Sequence, residues 1–313
     1  MDDQKQRYLN AININPNDKD ALFQLAAALN HNDQEAITLL SGESITKEQL
    51  LLKVILLDPN FANSYFGLAI VISDENRESI ILPSGQSMTE QQLYLKAIEC
   101  DPTYTSAYHN LALTLPRGAT ITLPKGQSMT KQKLFLKAIE CNPTNSKSFF
   151  NLALILKRGE SIKLHNGQKL NKQQLCVKAI EYNPTDSHSY YILANSLSDG
   201  ATITLHNGQS MTKRQLLLKA IECDPTNSRL YFRLALTLSN YISITLHNGE
   251  SMTKQQLLFE AFKSDHTRSS VYKEIGLSLL NNKQTITLPD GEKLSRRQLL
   301  QKARQFRINL PRE

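Results

Sequence analysis

The chain is poor in the features that mark several protein classes. It has no run of about 18 uncharged apolar residues, so no segment is expected to span a membrane. Four cysteines in 313 residues, with no Cys-x-x-Cys pair, exclude a disulfide framework and supply no metal or redox motif. Cys100, Cys141 and Cys223 hold one equivalent position, just before an Asx-Pro pair. Helices pack about 8–10 Å apart, whereas a disulfide needs Cα atoms within about 7 Å, so equivalent cysteines cannot bridge. Cys176 falls on an apolar helix position, and all four are expected to act as small buried hydrophobes. There is no nucleophile–base pair, Gly-rich phosphate loop or helix-spaced His/Glu pair. No catalytic residue, metal site or cofactor is therefore expected. The opening Met1-Asp2-Asp3-Gln4-Lys5 is acidic where a secretory signal would be basic and then apolar, which points to a protein kept in a cytosol.

What is present is an ordinary apolar content of 40% and an uneven charge. Residues 1–100 carry 7 Lys+Arg against 14 Asp+Glu, whereas residues 101–313 carry 29 against 15. The basic part suits an acidic peptide or a nucleic acid, and it also serves simply to keep a repetitive surface solvated.

Self-similarity dominates the chain. Lys-Ala-Ile-Glu-Cys recurs at 96–100, 137–141 and 219–223, with Lys-Ala-Ile-Glu-Tyr at 178–182. Pro102, Pro143, Pro184 and Pro225 follow at a spacing of 41, Pro59 and Pro16 precede at spacings of 43, and His266 stands where the next proline would be. This frame predicts a lone second helix over 1–16 and seven units over 17–313: 17–59, 60–102, 103–143, 144–184, 185–225, 226–266 and 267–311.

Each unit reads as helix, hairpin, helix. Counting from the proline, the first helix has apolar or small residues at +6, +9, +10 and +13, as in Tyr108, Leu111, Ala112 and Leu115. Those spacings fall on one face at 3.6 residues per turn. The second helix opens on a capping box, Thr or Ser followed three residues later by Gln. Copies are Thr46/Gln49, Thr89/Gln92, Thr212/Gln215, Thr253/Gln256 and Ser295/Gln298. Asn171/Gln174 approximates the box, and Thr130 meets Lys133, which lacks the return bond.

Between the helices runs Ile-x-Leu-x-x-Gly-x-x-Met/Leu/Ile, from Ile37/Leu39/Gly42/Ile45 to Ile286/Leu288/Gly291/Leu294. Alternation about Pro-x-Gly or His-Asn-Gly is a β-hairpin signal. A two-residue turn would leave Ile162 and Leu170 on opposite faces. A three-residue loop, His165-Asn166-Gly167, pairs Leu164 with Gln168 and Ile162 with Leu170, so that the apolar residues share a face. The loop predicted is a type I turn closed by a left-handed glycine in a bulge. His165, His206 and His247 take the slot that proline fills elsewhere and read as turn residues.

The helix signatures resemble the tetratricopeptide repeat along essentially the whole chain. Tyr231, Leu234, Ala235 and Leu238 match that family's first helix, and Ala220 with Pro225 matches the end of its second. The unit departs in length, 41 residues against 34, and the surplus is the hairpin. The resemblance implies a mainly α fold, an α-α superhelical solenoid of such repeats with a short hairpin inside each. It also implies a concave groove lined by first helices. Carried over, the groove positions at +7 are Phe23, Phe66, His109, Phe150, Tyr191, Phe232 and Lys273, outside the four-position packing face. Polar groove positions add Lys147, Asn195, Arg229 and Arg233; the two arginines, four apart, share one side of a helix and with Asn195 could grip a carboxylate.

The function expected is a scaffold or adaptor that captures a protein or peptide segment in the groove, not an enzyme. Two alternatives remain open at this point. One is a nucleic-acid-binding helical repeat using the basic region after residue 100, although the groove shows no base-reading pattern. The other is a bacterial effector that acts on a host protein by binding, suggested by the near-identity of the copies. A row of hairpins offers a second possible contact edge.

Overall fold

A computed structural model describes residues 3–29, 36–39, 42, 44–157, 159–264, 269–281 and 284–308. His266, the boundary between the sixth and seventh units, and residues 309–311 lie outside the described residues. The chain divides into two compact units, Met1–Asn151 with Leu164–Gln168, and Leu152–Lys163 with Lys169–Glu313.

In the first unit α1 (Asp3–Ile14) precedes three modules of one plan. They are α2 (Lys19–Ala28), β1 (Ile37–Thr38), β2 (Ser44–Ile45) and α3 (Lys47–Leu57); then α4 (Ala62–Asp74), β3 (Ser79–Ile81), β4 (Ser87–Thr89) and α5 (Glu90–Cys100); then α6 (Thr105–Thr114), β5 (Thr120–Thr122), β6 (Ser128–Thr130) and α7 (Lys131–Cys141). The next first helix is α8 (Ser146–Ile155). The second unit continues with β7 (Ser161–Lys163), β8 (Lys169–Asn171) and α9 (Lys172–Tyr182). There follow α10 (Ser187–Ser196), β9 (Thr202–Thr204), β10 (Ser210–Thr212) and α11 (Lys213–Cys223); α12 (Ser228–Ala235), β11 (Ser243–Thr245), β12 (Ser251–Thr253) and α13 (Lys254–Ser264); and α14 (Ser269–Ser278), β13 (Thr285–Thr287), β14 (Lys293–Ser295) and α15 (Arg296–Ile308).

Packing is sequential. In the first unit α2 lies on α3, α4 on α5 and α6 on α7, while α1, α3 and α5 each meet the first helix that follows. The second unit repeats the pattern from α9 to α15. The apolar stripe explains it: every residue at +6, +9, +10 and +13 is buried except Tyr231, which is half-buried. The second helices bury adjacent pairs one turn apart, such as Leu93, Tyr94, Ala97 and Ile98. Burying one such Leu or Ile contributes roughly 1.5–3 kcal/mol.

Outside the expected face, one position is buried in every unit. Position +5, held by Ala21, Ser64, Ala107, Ser148, Ser189, Leu230 and Val271, is as buried as the core. Alanine and serine fit there because the next layer approaches closely, and only Leu230 and Val271 are larger.

The hairpins follow the predicted register. Ile162 pairs with Leu170, the Leu164 amide donates to the Gln168 carbonyl at 2.8 Å, and the Gly167 amide donates to the Leu164 carbonyl at 3.0 Å. Gly167 sits at φ +85°, a conformation that an L side chain resists. The last residue of a hairpin then caps the next helix without a linker. Thr212 ends β10, its Oγ1 accepts from the Gln215 amide at 3.3 Å, and its own amide donates to Gln215 Oε1 at 2.8 Å. Asn171/Gln174 forms the same reciprocal pair. At Thr130 the Lys133 amide bond alone is present, as the missing glutamine requires.

Three modules are also tied through their leading proline. Tyr65, Tyr108 and Tyr231 donate their hydroxyls to the carbonyls of Pro59, Pro102 and Pro225 at 2.8, 3.1 and 3.0 Å. Cys100, Cys141 and Cys223 are half-buried, not buried, with Sγ 3.7–4.0 Å from the carbonyls of Pro59, Pro102 and Pro184. Only Cys176 is fully buried, and that burial pushes its thiol up to about 12.

Candidate functional site

Two positions of the first helices, +7 and +11, lie one turn apart outside the four-position packing face. The +7 stripe is not free of the packing, which corrects the expectation that it stands outside it. His109 and Phe232 are buried, Phe23, Phe66, Phe150 and Tyr191 are half-buried, and only Lys273 is exposed. In the first unit the reason is explicit. Phe23 meets Phe61, the residue leading into α4, with ring centroids 5.1 Å apart, and Phe66 meets Tyr104, the residue leading into α6, at the same distance. Phe66 and His109 also lie 5.7 and 5.3 Å from Tyr94 and Phe135 of their own second helices. Phe23 and Phe66 thus fill the joint to the next module and are only half-exposed.

His109 marks how closed that joint is. Its Nδ1 lies 2.9 Å from Ser148 Oγ, at the +5 position of α8. Burial, with a smaller effect from the Lys147 charge, lowers its pKa to about 4, so the ring is neutral at pH 7.

Position +11 is the stripe that the sequence reading passed over. Leu113, Leu154, Leu236 and Leu277 occupy it and are 41–50% exposed. Asn195 holds the same position in α10. The signal was available: these leucines recur in the 41-residue frame yet do not belong to the packing face. Large aliphatic side chains repeated on one exposed face mark a contact surface more often than chance does.

In the second unit, α10 and α12 border two cavities that share out the predicted polar residues. One, of about 480 Å³, takes in His188 and Tyr191 of α10 with Arg229 of α12. The other, of about 520 Å³, takes in Asn195 and Arg233 with Lys213 and Arg214 from the first turn of α11 and Leu236 from the end of α12. The structure therefore joins Asn195 to Arg233 but seats Arg229 with Tyr191, one turn away. Arg214 donates from Nη2 to the Thr237 carbonyl at 2.6 Å, and its Nε is buried without a partner among the described residues. Asp199 is the one carboxylate on this cavity, 3.3 Å from Lys213. Three cations against one anion make the cavity attractive to a carboxylate. Lys147 and Lys273 are exposed on α8 and α14.

The hairpin tips lie against the preceding module. His165, His206 and His247 place Nδ1 4.0, 3.6 and 3.6 Å from carboxylate oxygens of Glu140, Glu181 and Glu222. They are turn residues that also reach a neighbour. Among the described residues no group of three or more His, Cys, Asp or Glu could hold a metal ion. No described helix is long and apolar enough to cross a membrane.

No curated protein matches the sequence. Among solved structures the chain is similar to the crystal structure of YrrB, described as a TPR protein with an unusual peptide-binding site. The identity is 16% over 70% of this chain and 92% of that one, with a TM-score of 0.39. It is also similar to yeast Tom70, at 17% identity over 88% of this chain and a TM-score of 0.43; it spans 50% of that structure's length. The family model described as the tetratricopeptide repeat matches residues 8–38, 93–133, 134–174, 175–215 and 216–256. From residue 93 its frame opens inside one second helix and runs into the start of the next. More than half of the chain is matched, the four units from 93 to 256 being successive and each carrying a helix pair and hairpin, and the chain belongs to the tetratricopeptide repeat family.

Proposed function

We propose that this chain is a non-catalytic binding scaffold that holds a peptide or protein segment against the exposed face of its first helices, with the α10–α12 surface as a principal site. Members of the family generally bind proteins or peptides. One observation carries the assignment to this surface: Tyr191, Asn195, Arg229 and Arg233, four residues expected to line a groove, border two cavities that each take in residues of α10 and α12. The exposed Leu236 at +11 of α12 adds apolar area to the wall of one of them. A segment lying there gains from desolvated aliphatic contact and is oriented by the cations.

The test is a selection of random 12-residue peptides, displayed on phage, against the full chain. Selected peptides are then titrated against Tyr191→Ala with Arg229→Ala and against Asn195→Ala. A loss of affinity of about tenfold or more in the double variant, with helix content unchanged by circular dichroism, supports the site. Undiminished binding by both variants removes the assignment.

A further inference from the structure

Four of the turns that follow a first helix are closed by one bond each. The amides of Ala119, Glu160, Ala201 and Ile242 donate to the carbonyls of Pro116, Lys157, Ser198 and Ser239 at 3.2–3.4 Å. In the first three the third residue is Gly118, Gly159 or Gly200, at φ +80° to +84°, as a type II turn requires. In the fourth it is Tyr241, which does not share that conformation, because Asn76 is the only described non-glycine residue with a positive φ. A bare turn is thereby replaced by one that carries two large side chains. Tyr241 is 82% exposed, and Ile242 beside it is exposed as well.

This turn is tied to the next module. Asn240 donates from Nδ2 to the Ser278 carbonyl at 3.4 Å, at the end of α14, where Leu277 and Leu280 are exposed. The segment after α14 is held by its own bonds: the Leu280 amide donates to Gln284 Oε1 and the Gln284 amide to Asn281 Oδ1, both at 2.9 Å. A closed loop therefore presents Leu280 to solvent, 66% exposed. Arginine lies on the same main chain. Arg296 donates from Nη1 to the Leu279 carbonyl at 3.3 Å, and Arg297, next in α15, is exposed. Neither α12 nor α15 carries a carboxylate. Glu274 of α14 and Asp199 of the preceding turn are matched by Lys254 at 3.8 Å and Lys213 at 3.3 Å, which leaves the arginines in surplus.

We infer that this edge of the second unit, Tyr241, Ile242 and Leu280 with Arg296 and Arg297, docks on the surface of an anionic lipid bilayer. Aliphatic side chains that project from turns enter the boundary between headgroups and acyl chains, where a tyrosine keeps its hydroxyl in water. Arginines within a Debye length of that surface are drawn to anionic headgroups. Charge complementarity decides the choice of surface: residues 101–313 carry 29 Lys+Arg against 15 Asp+Glu. A nucleic acid would use the arginines and leave the apolar side chains in water, whereas a bilayer uses both. The edge goes beyond the proposed peptide site and shares none of the residues assigned to it.

The chain contains no tryptophan, so Tyr241→Trp supplies a reporter at this turn alone. The full-length variant is titrated with vesicles of equimolar phosphatidylserine and phosphatidylcholine, and binding is measured in parallel by co-sedimentation. The expected result is a blue shift of the emission and co-sedimentation, both weakened by salt and both absent with phosphatidylcholine alone. Leu280→Ser, and separately Arg297→Glu, should each weaken vesicle binding about tenfold or more in this background, with helix content unchanged by circular dichroism. Both positions are exposed, so neither change disturbs the core. Absence of binding at low salt would overturn the inference. Co-sedimentation without an emission shift would overturn it too, because the chain would then be held through charge elsewhere. Equal binding to neutral vesicles would remove the part assigned to the arginines. A shift produced by a short single-stranded RNA but not by vesicles would give the edge to nucleic acid instead.

Discussion

The third and sixth repeats share one 41-residue frame and use it differently. In the third, α6 has Ala107 at +5, His109 buried at +7 and a glycine turn after it; the joint to α8 is closed by a hydrogen bond to Ser148. In the sixth, α12 has Leu230 at +5, Phe232 at +7 and Tyr241 in the turn, and cavities border it on the α10 side. Small residues at +5 let neighbouring first helices come together, and a large one fills the space with its own side chain. One module closes its joint with a buried ring, and the other leaves cavities beside α12.

Substitutions can break this contrast, beginning with the largest. Leu230 is essentially inaccessible to solvent. Leu230→Ala should cost about 2–5 kcal/mol in urea unfolding, because the joint beside Tyr191 cannot collapse fully. Ala107→Gly at the equivalent position removes far less buried volume and should cost only about 1 kcal/mol, mainly through helix propensity. Equal losses at the two sites would erase the distinction.

The second effect depends on pH. His109 is depressed from an ordinary value near 6.5 to about 4, so below pH 6.5 the unfolded chain binds the proton first. Its contribution is complete above that pH and is lost as the pH falls towards 4, on the order of 3 kcal/mol at the acid end. His109→Phe, the residue found at +7 in α4 and α8, should flatten the stability profile between pH 6.5 and 4. A profile as steep as that of the wild type would show that the joint is not closed around a neutral ring.

Third, Gly200→Tyr should cost about 1–2 kcal/mol, since a tyrosine at φ +80° is strained. The reverse exchange, Tyr241→Gly, should change stability by less than about 1 kcal/mol. The smallest expected effect is at the incomplete cap: Lys133→Gln should add a few tenths of a kcal/mol by supplying the missing return bond to the Thr130 amide.

The features that were legible in the sequence are the local ones. Hairpin register followed from which side Ile162, Leu164 and Leu170 must face, and the capping boxes from a three-residue spacing. The helix faces at +6, +9, +10 and +13 are apolar enough to announce themselves. Position +5 was missed because Ser64, Ser148 and Ser189 look polar; their burial comes from close approach of a second module, which no single helix period reports. The +7 rings were expected to line a groove, and their burial has the same non-local origin in Phe61, Tyr104 and Ser148. The +11 leucines were overlooked because four leucines beside an apolar stripe blend into it. The joining of Asn195 to Arg233, and of Tyr191 to Arg229, needed the geometry of two repeats.

The residue shared by a hairpin's end and the next helix's cap has a mechanical consequence. Thr212 completes β10 and caps α11 in the same residue, so ribbon and helix move as one piece. Slack in that module is confined to the few residues between Leu197 and Ala201, on the other side of the ribbon. A protease given a brief exposure should therefore nick that joint before it cuts between ribbon and second helix, and any bending of the module on a guest must turn about the same point.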